Sequence, residues 1–230
     1  MGDDNDNRAI CARVGGMDPA GRHDSLTRAS LYLILSRGLC RRPPLDVVRG
    51  ALAGGVGIVQ IREKALSDVD LIEWVLEVRR VAEPFGALVI VNDRPDIAVL
   101  ADADGAHLGQ DDLTPEMARH WVGDDRLLGL STHDRPQVEA AHLSCADYLG
   151  FGPIFATSTK QLSGLGVPSI DSTFATTKPV FCIGGITLDN LPMLLAVGVN
   201  RVAVSSALCG AEDPESTAAE LMNRLRRGAI

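Results

Sequence analysis

Aromatic residues are scarce, making up 4% of the 230-residue chain. Ala, Val, Leu, Ile and Gly dominate instead, a composition that suits aliphatic strands buried on both faces by helices, as in parallel sheets. There is no surplus of positive charge. The formal net charge is -8 and no basic stripe stands out, which argues against nonspecific nucleic-acid binding. Any cations that matter must therefore be placed locally. No apolar run approaches the roughly 20 residues a spanning helix needs, and the N-terminus lacks the continuous apolar stretch of a signal peptide or anchor. Cys11, Cys40, Cys145, Cys182 and Cys209 form no CxxC pair and no metal-ligand spacing. An odd count without a framework fits a reducing compartment, and Cys145 and Cys182 are read as core thiols beside apolar runs. Neither a Walker loop, an HExxH motif nor a Ser-His-Asp arrangement is found. A cytoplasmic protein without nucleic-acid or membrane partners is expected.

What is present is a rhythm. Residues 1–28 are rich in Asp, Asn, Gly and Arg, lack sustained periodicity, and are expected to be a disordered extension. From Leu31 onward, strand candidates recur at Leu31–Leu35, Gly57–Ile61, Ala87–Val91, Gly105–Leu108, Leu127–Leu130, Tyr148–Gly150, Val180–Ile183 and Arg201–Val204. Amphipathic helices fit at Asp68–Ala82, Pro115–Trp121, Arg135–Leu143, Leu188–Val197 and Glu215–Arg226, with room for a short one at Pro95–Ala103. Eight strands separated by helix-length segments specify parallel βαβ units. The fold class is α/β, and residues 29–230 are expected to close into a single (β/α)8 TIM barrel. An open doubly wound sheet is the competing arrangement, but no GxGxxG follows the first strand.

Polar residues at the C-terminal ends of barrel strands reach the active-site face. The second strand ends in Gln60-Ile61-Arg62-Glu63-Lys64, where a two-residue period puts Gln60, Arg62 and Lys64 on one side, away from Ile61. Arg offers a planar fork and Lys a point charge, which together suit a polyanion. Asn92 and Asp93 end the third strand, and Asp111 and Asp112 lie beyond the fourth. Carboxylates at adjacent strand ends could hold a hard divalent cation through oxygen, although one of Asp111 and Asp112 is equally suited to cap the next helix. His107 is either a satisfied core imidazole or a substrate contact. Ser131 could donate to an anionic oxygen or cap the Arg135 helix, a role for which Asp134 competes.

The segment Gly152–Lys160 brings Thr157, Ser158, Thr159 and Lys160 onto one loop, a plausible anion clamp. The whole connection, roughly 18 residues to Pro168, exceeds the usual few-residue link and is expected to act as a mobile lid. Gly184-Gly185 after the seventh strand and Ser205-Ser206 after the eighth match the usual barrel phosphate position. Two anion sites result. One is a monoester-like phosphate pocket at strands seven and eight. The other combines Arg62, Lys64, Lys160 and a cation held by Asp93 and Asp112. A metal flanked by cations fits a diphosphate better than a single phosphate, and a diphosphate beside a metal is a good leaving group.

Seven ordered blocks resemble the thiamine-phosphate synthase family: QIREK at 60–64, VNDRPDIA at 91–98, DGAHLGQDD at 104–112, LGLSTH at 128–133, YLGFGPIFATSTK at 148–160, CIGGIT at 182–187 and VAVSSAL at 202–208. The resemblance implies a (β/α)8 enzyme that couples a hydroxymethylpyrimidine diphosphate to a thiazole monophosphate, releasing diphosphate. It implies that Gln60, Ile61, Arg62, Glu63, Lys64 and Asn92 contact the pyrimidine diphosphate. Asp93 and Asp112 would bind Mg²⁺, with Ser131 and Lys160 on the diphosphate. Thr157, Ser158, Thr159, Gly185, Ser205 and Ser206 would hold the thiazole phosphate. Arg62, Lys64, Lys160 and Ser131 are the expected catalytic groups. A homo-oligomer is compatible with the sequence. A thiazole tautomerase-like or regulatory paralogue on the same barrel is the rival, but such a relative would be expected to lose the diphosphate side, which is intact here. Two departures stand out: Ser36-Arg37 follows the first strand where relatives often carry Asp, and Gln161–Val167 lacks the prolines usual there.

Overall fold

Alternation along each strand decides what faces the barrel axis. In β1 (Leu31–Leu35) the side chains of Leu31, Leu33 and Leu35 join the core between strands and helices, while Tyr32 and Ile34 point inward. The computed structural model describes residues 17–156, 164–172 and 176–228. β1 is followed by β2 (Ile58–Ile61), β3 (Leu88–Asn92), β4 (Gly105–Leu108), β5 (Leu127–Thr132), β6 (Tyr148–Phe151), β7 (Val180–Ile183) and β8 (Val202–Val204). They pair in parallel in sequence order, and β8 returns to β1 with Leu31 opposite Val202, closing the barrel. The expected (β/α)8 fold is therefore present.

The barrel interior is a packed core. Tyr32, Ile34, Ile58, Leu88, Ile90, Leu127, Tyr148, Phe181 and Ala203 fill it. The Tyr32 and Phe181 rings meet edge to face with centroids 5.3 Å apart, the favoured geometry for such quadrupoles. Of the two cysteines read as core thiols, Cys182 is buried and Cys145 is half-buried.

Among the described residues, the helices are α1 (Pro19–Arg28), α2 (Pro44–Ala53), α3 (Asp68–Ala82), α4 (Pro95–Leu100), α5 (Pro115–Val122), α6 (Arg135–Leu143), α7 (Leu191–Leu195), α8 (Ser206–Cys209) and α9 (Pro214–Gly228). α3 shows why these segments are helical. The Ser67 hydroxyl accepts from the Asp70 N–H at 3.2 Å, and Asp68 and Asp70 place negative charge on the first turn. Leu71, Trp74, Val75, Val78 and Ala82 then bury one stripe. Thr114 caps α5 and Asp134 caps α6, each accepting a backbone N–H from the first turn. Asp134 thus leaves Ser131 out of the cap, and Thr114 takes the role expected of Asp111 or Asp112.

Two expectations need correction. The disordered extension expected over residues 1–28 does not hold for its second half. Residues 1–16 lie outside the described residues, but Pro19–Arg28 is helical, with the Asp18 carboxylate accepting from the Gly21 N–H at 2.7 Å. Leu26 of α1 and Ala29 beyond it pack against the inward-facing cluster, and Arg22 is buried in a pair with Asp104. α1 thus covers the N-terminal end of the barrel, where side chains would otherwise meet water. The helix expected at Leu188–Val197 shrinks to Leu191–Leu195. Asn190 diverts the preceding turn: its side chain accepts from the Thr187 N–H and donates to the Gly185 carbonyl.

Candidate active site

The C-terminal mouth of the barrel opens into one cavity. Gln60 and Arg62 line it from β2, Asn92 from β3, His107 from β4 and Ser131 from β5. The opposite wall is Gly184, Gly185 and Ile186 after β7, with Ser205 and Ser206 after β8. Eight of the expected site residues therefore converge. Gln60 is buried and donates from Nε2 to the Tyr32 hydroxyl at 2.7 Å. His107 is a satisfied core imidazole that also borders the cavity. It is buried, with Nδ1 3.2 Å from the Tyr148 hydroxyl, and its Nε2 lies 3.0 Å from Ser131 Oγ at the cavity wall.

Asp93 and Asp112 sit at the rim and face each other. Asp93 adopts φ 62°, a left-handed backbone that costs a non-glycine residue about 1 kcal/mol. Its N–H still reaches the His107 carbonyl at 2.8 Å, tying β3 to β4. Burial and then the hydrogen-bonded, like-charged Asp112 carboxyl raise the Asp93 pKa to about 6, against the opposing pull of Lys64 and Arg62. Asp112 is braced by the Gly109 N–H at 2.7 Å. Among the described residues no third His, Cys, Asp or Glu joins the pair. Two carboxylates with the rest of the coordination left open suit Mg²⁺, which keeps several waters and commonly takes its other ligands from a substrate phosphate.

Some expected contacts are not brought in. Ile61 belongs to the core outside the barrel, packed toward the helices, so its side chain cannot touch a ligand in the cavity. Glu63 accepts from the Arg37 N–H at 2.6 Å and faces the Arg37 guanidinium at 3.8 Å. It fastens the β1 loop to the β2 loop. Both residues were expected because they belong to the 60–64 block of the resemblance, but alternation turns them away. Lys64 is exposed at the rim, within electrostatic reach of Asp93. Arg94, in the same block as Asp93, is engaged elsewhere: its guanidinium holds Asp96 and Asp68, at 2.6 and 2.7 Å. Thr157, Ser158, Thr159 and Lys160 lie outside the described residues.

The wall after β7 and β8 is set by a close backbone approach and a buried hydroxyl. Gly185 has φ 61°, and a Cβ there would come within 2.5 Å of the Ala156 carbonyl oxygen, so only glycine lets the β7 turn pass under the β6 loop. Ser205 Oγ is buried with no hydrogen-bond partner among the described residues. Such an atom is costly unless a ligand satisfies it. Tyr32 and Tyr148, beneath the cavity, were not anticipated. Their signal was available, since both occupy inward positions of short apolar strands.

Comparison with known proteins agrees with this fold. A family model described as thiamine monophosphate synthase matches residues 31–208. The chain is 44% identical over 187 residues to a thiamine-phosphate synthase of Synechococcus sp. (strain CC9605), an alignment covering 80% of this chain and 53% of that protein. It thus spans about half the length of that relative. To the thiamine-phosphate synthase of Moorella thermoacetica (strain ATCC 39073 / JCM 9320) it is 40% identical over 201 residues, covering 86% of this chain and 96% of the relative. The solved thiamine phosphate pyrophosphorylase from Pyrococcus furiosus matches with a TM-score of 0.81 at 32% identity, over 90% of this chain and 99% of that one.

Proposed function

The chain belongs to the thiamine monophosphate synthase family, and on that premise we propose that it couples a pyrimidinylmethyl diphosphate to a thiazole monophosphate, giving thiamine phosphate and diphosphate. The observation that carries this reading is the division of one cavity into two poles. Arg62 lines it and lies with Lys64 near the facing carboxylates of Asp93 and Asp112, while the Gly184-Gly185 turn and Ser205-Ser206 form the far wall. A diphosphate at the first pole and a monophosphate at the second leave the methylene carbon and the thiazole nitrogen between them.

Arg62, Lys64 and Lys160 neutralise the charge that grows on the departing diphosphate as the carbon–oxygen bond breaks. Ser131 Oγ donates a hydrogen bond to the same group. Gln60 and Asn92 orient the pyrimidine. Thr157, Ser158, Thr159, Gly185, Ser205 and Ser206 hold the thiazole phosphate, so that the ring nitrogen, which already carries a lone pair, bonds to the methylene carbon without a general base. Asp93 and Asp112 would hold Mg²⁺, which when bound supplies further neutralisation of the diphosphate charge. The segment 157–168 keeps water from the cationic methylene.

Purified chain incubated with both half-substrates and Mg²⁺ should form thiamine phosphate and one equivalent of diphosphate. Omission of either half-substrate or of Mg²⁺ should abolish both products. Tight binding of the thiazole phosphate with no coupling under any of these conditions would overturn the assignment.

A further inference from the structure

The core beneath the cavity holds four hydrogen bonds in series. Gln60 Nε2 donates to the Tyr32 hydroxyl at 2.7 Å, the Tyr32 and Tyr148 hydroxyls are 3.0 Å apart, Tyr148 lies 3.2 Å from His107 Nδ1, and His107 Nε2 lies 3.0 Å from Ser131 Oγ. The series runs through the interior from β2 to β5 and uses the only two tyrosines of the chain.

We infer that this series has one direction, which places the His107 proton on Nε2 and leaves the Ser131 hydroxyl proton aimed into the cavity, with Tyr148 as the positioning residue. The direction follows from donor inventory. An amide nitrogen only donates, so the Tyr32 oxygen accepts from Gln60 and its own proton must go to Tyr148. Burial pushes both phenols above their ordinary range, so each keeps its proton at neutral pH. Tyr148, already accepting from Tyr32, then donates to His107 Nδ1. That nitrogen must be bare, so the ring carries its proton on Nε2 and donates to Ser131 Oγ. Ser131 therefore has no need to turn its proton inward.

The charged alternative is costly. A doubly protonated ring would leave the Tyr148 proton without an acceptor in the core, a buried unsatisfied donor. The reverse direction would require the Gln60 amide turned over and would draw the Ser131 proton toward His107. Gly129 makes the series possible: a Cβ on it would overlap His107 Nδ1 and lie 2.5 Å from the Tyr148 hydroxyl oxygen. The pattern LGLST thus reserves space where a larger residue would separate the two rings.

The kinetic consequence rests on the coupling reaction proposed above, but the proton position does not. In ¹⁵N-histidine protein at about pH 7.5, two-bond ¹H–¹⁵N spectra should show His107 as the neutral Nε2–H tautomer, its signals assigned by their absence in His107→Gln. Tyr148→Phe should shift the ring toward Nδ1–H and lower kcat by about tenfold, the scale of one hydrogen bond, with KM for the thiazole phosphate changed by less than about twofold. In a chain that couples, a Tyr148→Phe variant showing only one of these two changes, or neither, would overturn the inference. So would a wild-type ring protonated on Nδ1. A chain with no coupling activity would defeat the functional reading while leaving the spectrum to decide this one.

Discussion

Arg22 of α1 donates from Nε to Asp104 Oδ1 at 2.9 Å, with both side chains 8% exposed. The second carboxylate oxygen accepts from the Val89 N–H, and Arg22 Nη1 reaches the Asp125 carbonyl. One helix, one strand and two loops are thereby joined at the end of the barrel remote from the cavity. Arg22→Met keeps the apolar stem but leaves Asp104 as an uncompensated buried charge. Removing one partner of such a pair costs about 3–5 kcal/mol. The urea midpoint should fall accordingly, while kcat of the folded fraction stays near wild type. A loss below about 1 kcal/mol would show that α1 contributes little to the barrel's stability.

That helix also marks where the sequence becomes hard to read. Strand positions were legible because each is a short aliphatic run closed by Gly, Pro or a polar residue, and helices such as α3 because cap and apolar stripe coincide. α1 carries neither signal strongly. In PAGRHDSLTR only Leu26 is a large apolar residue, and its stability comes from partners far along the chain, Asp104 and the inward cluster. Asp18 before Pro19 was the one local hint. At the site, the alternation that separates Gln60 and Arg62 from Ile61 was visible in QIREK, and the structure follows it. The Tyr32–Tyr148 link could not be read, because it depends on register between strands more than a hundred residues apart.

Gly129 and Gly150 lie on adjacent strands and both approach His107, yet they should respond differently to a methyl group. At Gly129 a Cβ would overlap the ring nitrogen and crowd Tyr148 Cζ, both in the packed interior. At Gly150 the nearest atom would be His107 Cε1 at 3.4 Å, an ordinary contact. Gly129→Ala should therefore cost about 1–3 kcal/mol, the usual range for overpacking, with activity reduced as His107 is displaced. Gly150→Ala should leave the melting temperature within a few degrees of wild type. Equal effects at the two positions would mean that the interior repacks freely.

The role proposed for Lys160 rests on the resemblance of its block, YLGFGPIFATSTK. Lys160→Ala should lower kcat by about tenfold or more, the scale expected when one charge contact to the developing diphosphate is lost. A change confined to KM for the pyrimidine substrate would make it a binding residue without a part in bond breaking.

Asp93 links magnesium, pH and stability in one measurable set. Its pKa, raised from 3.8 to about 6 chiefly by burial and then by Asp112, means that the folded state holds this proton more tightly than the unfolded chain. The sign follows: with metal chelated, ionising Asp93 weakens the fold as pH rises from about 4 through 6, and the penalty is fully present above that. Asp93→Asn removes the penalty. In EDTA at about pH 7.5 the variant should melt above wild type, and the gap should close as pH falls toward 4. Added Mg²⁺ should raise the wild-type melting temperature at pH 7.5, far less at pH 5, and not at all in Asp93→Asn, which should also lose Mg²⁺-dependent coupling. A variant that melts below wild type in EDTA at neutral pH, or that retains full Mg²⁺-dependent turnover, would show that the two carboxyls are held together for a reason other than a shared cation.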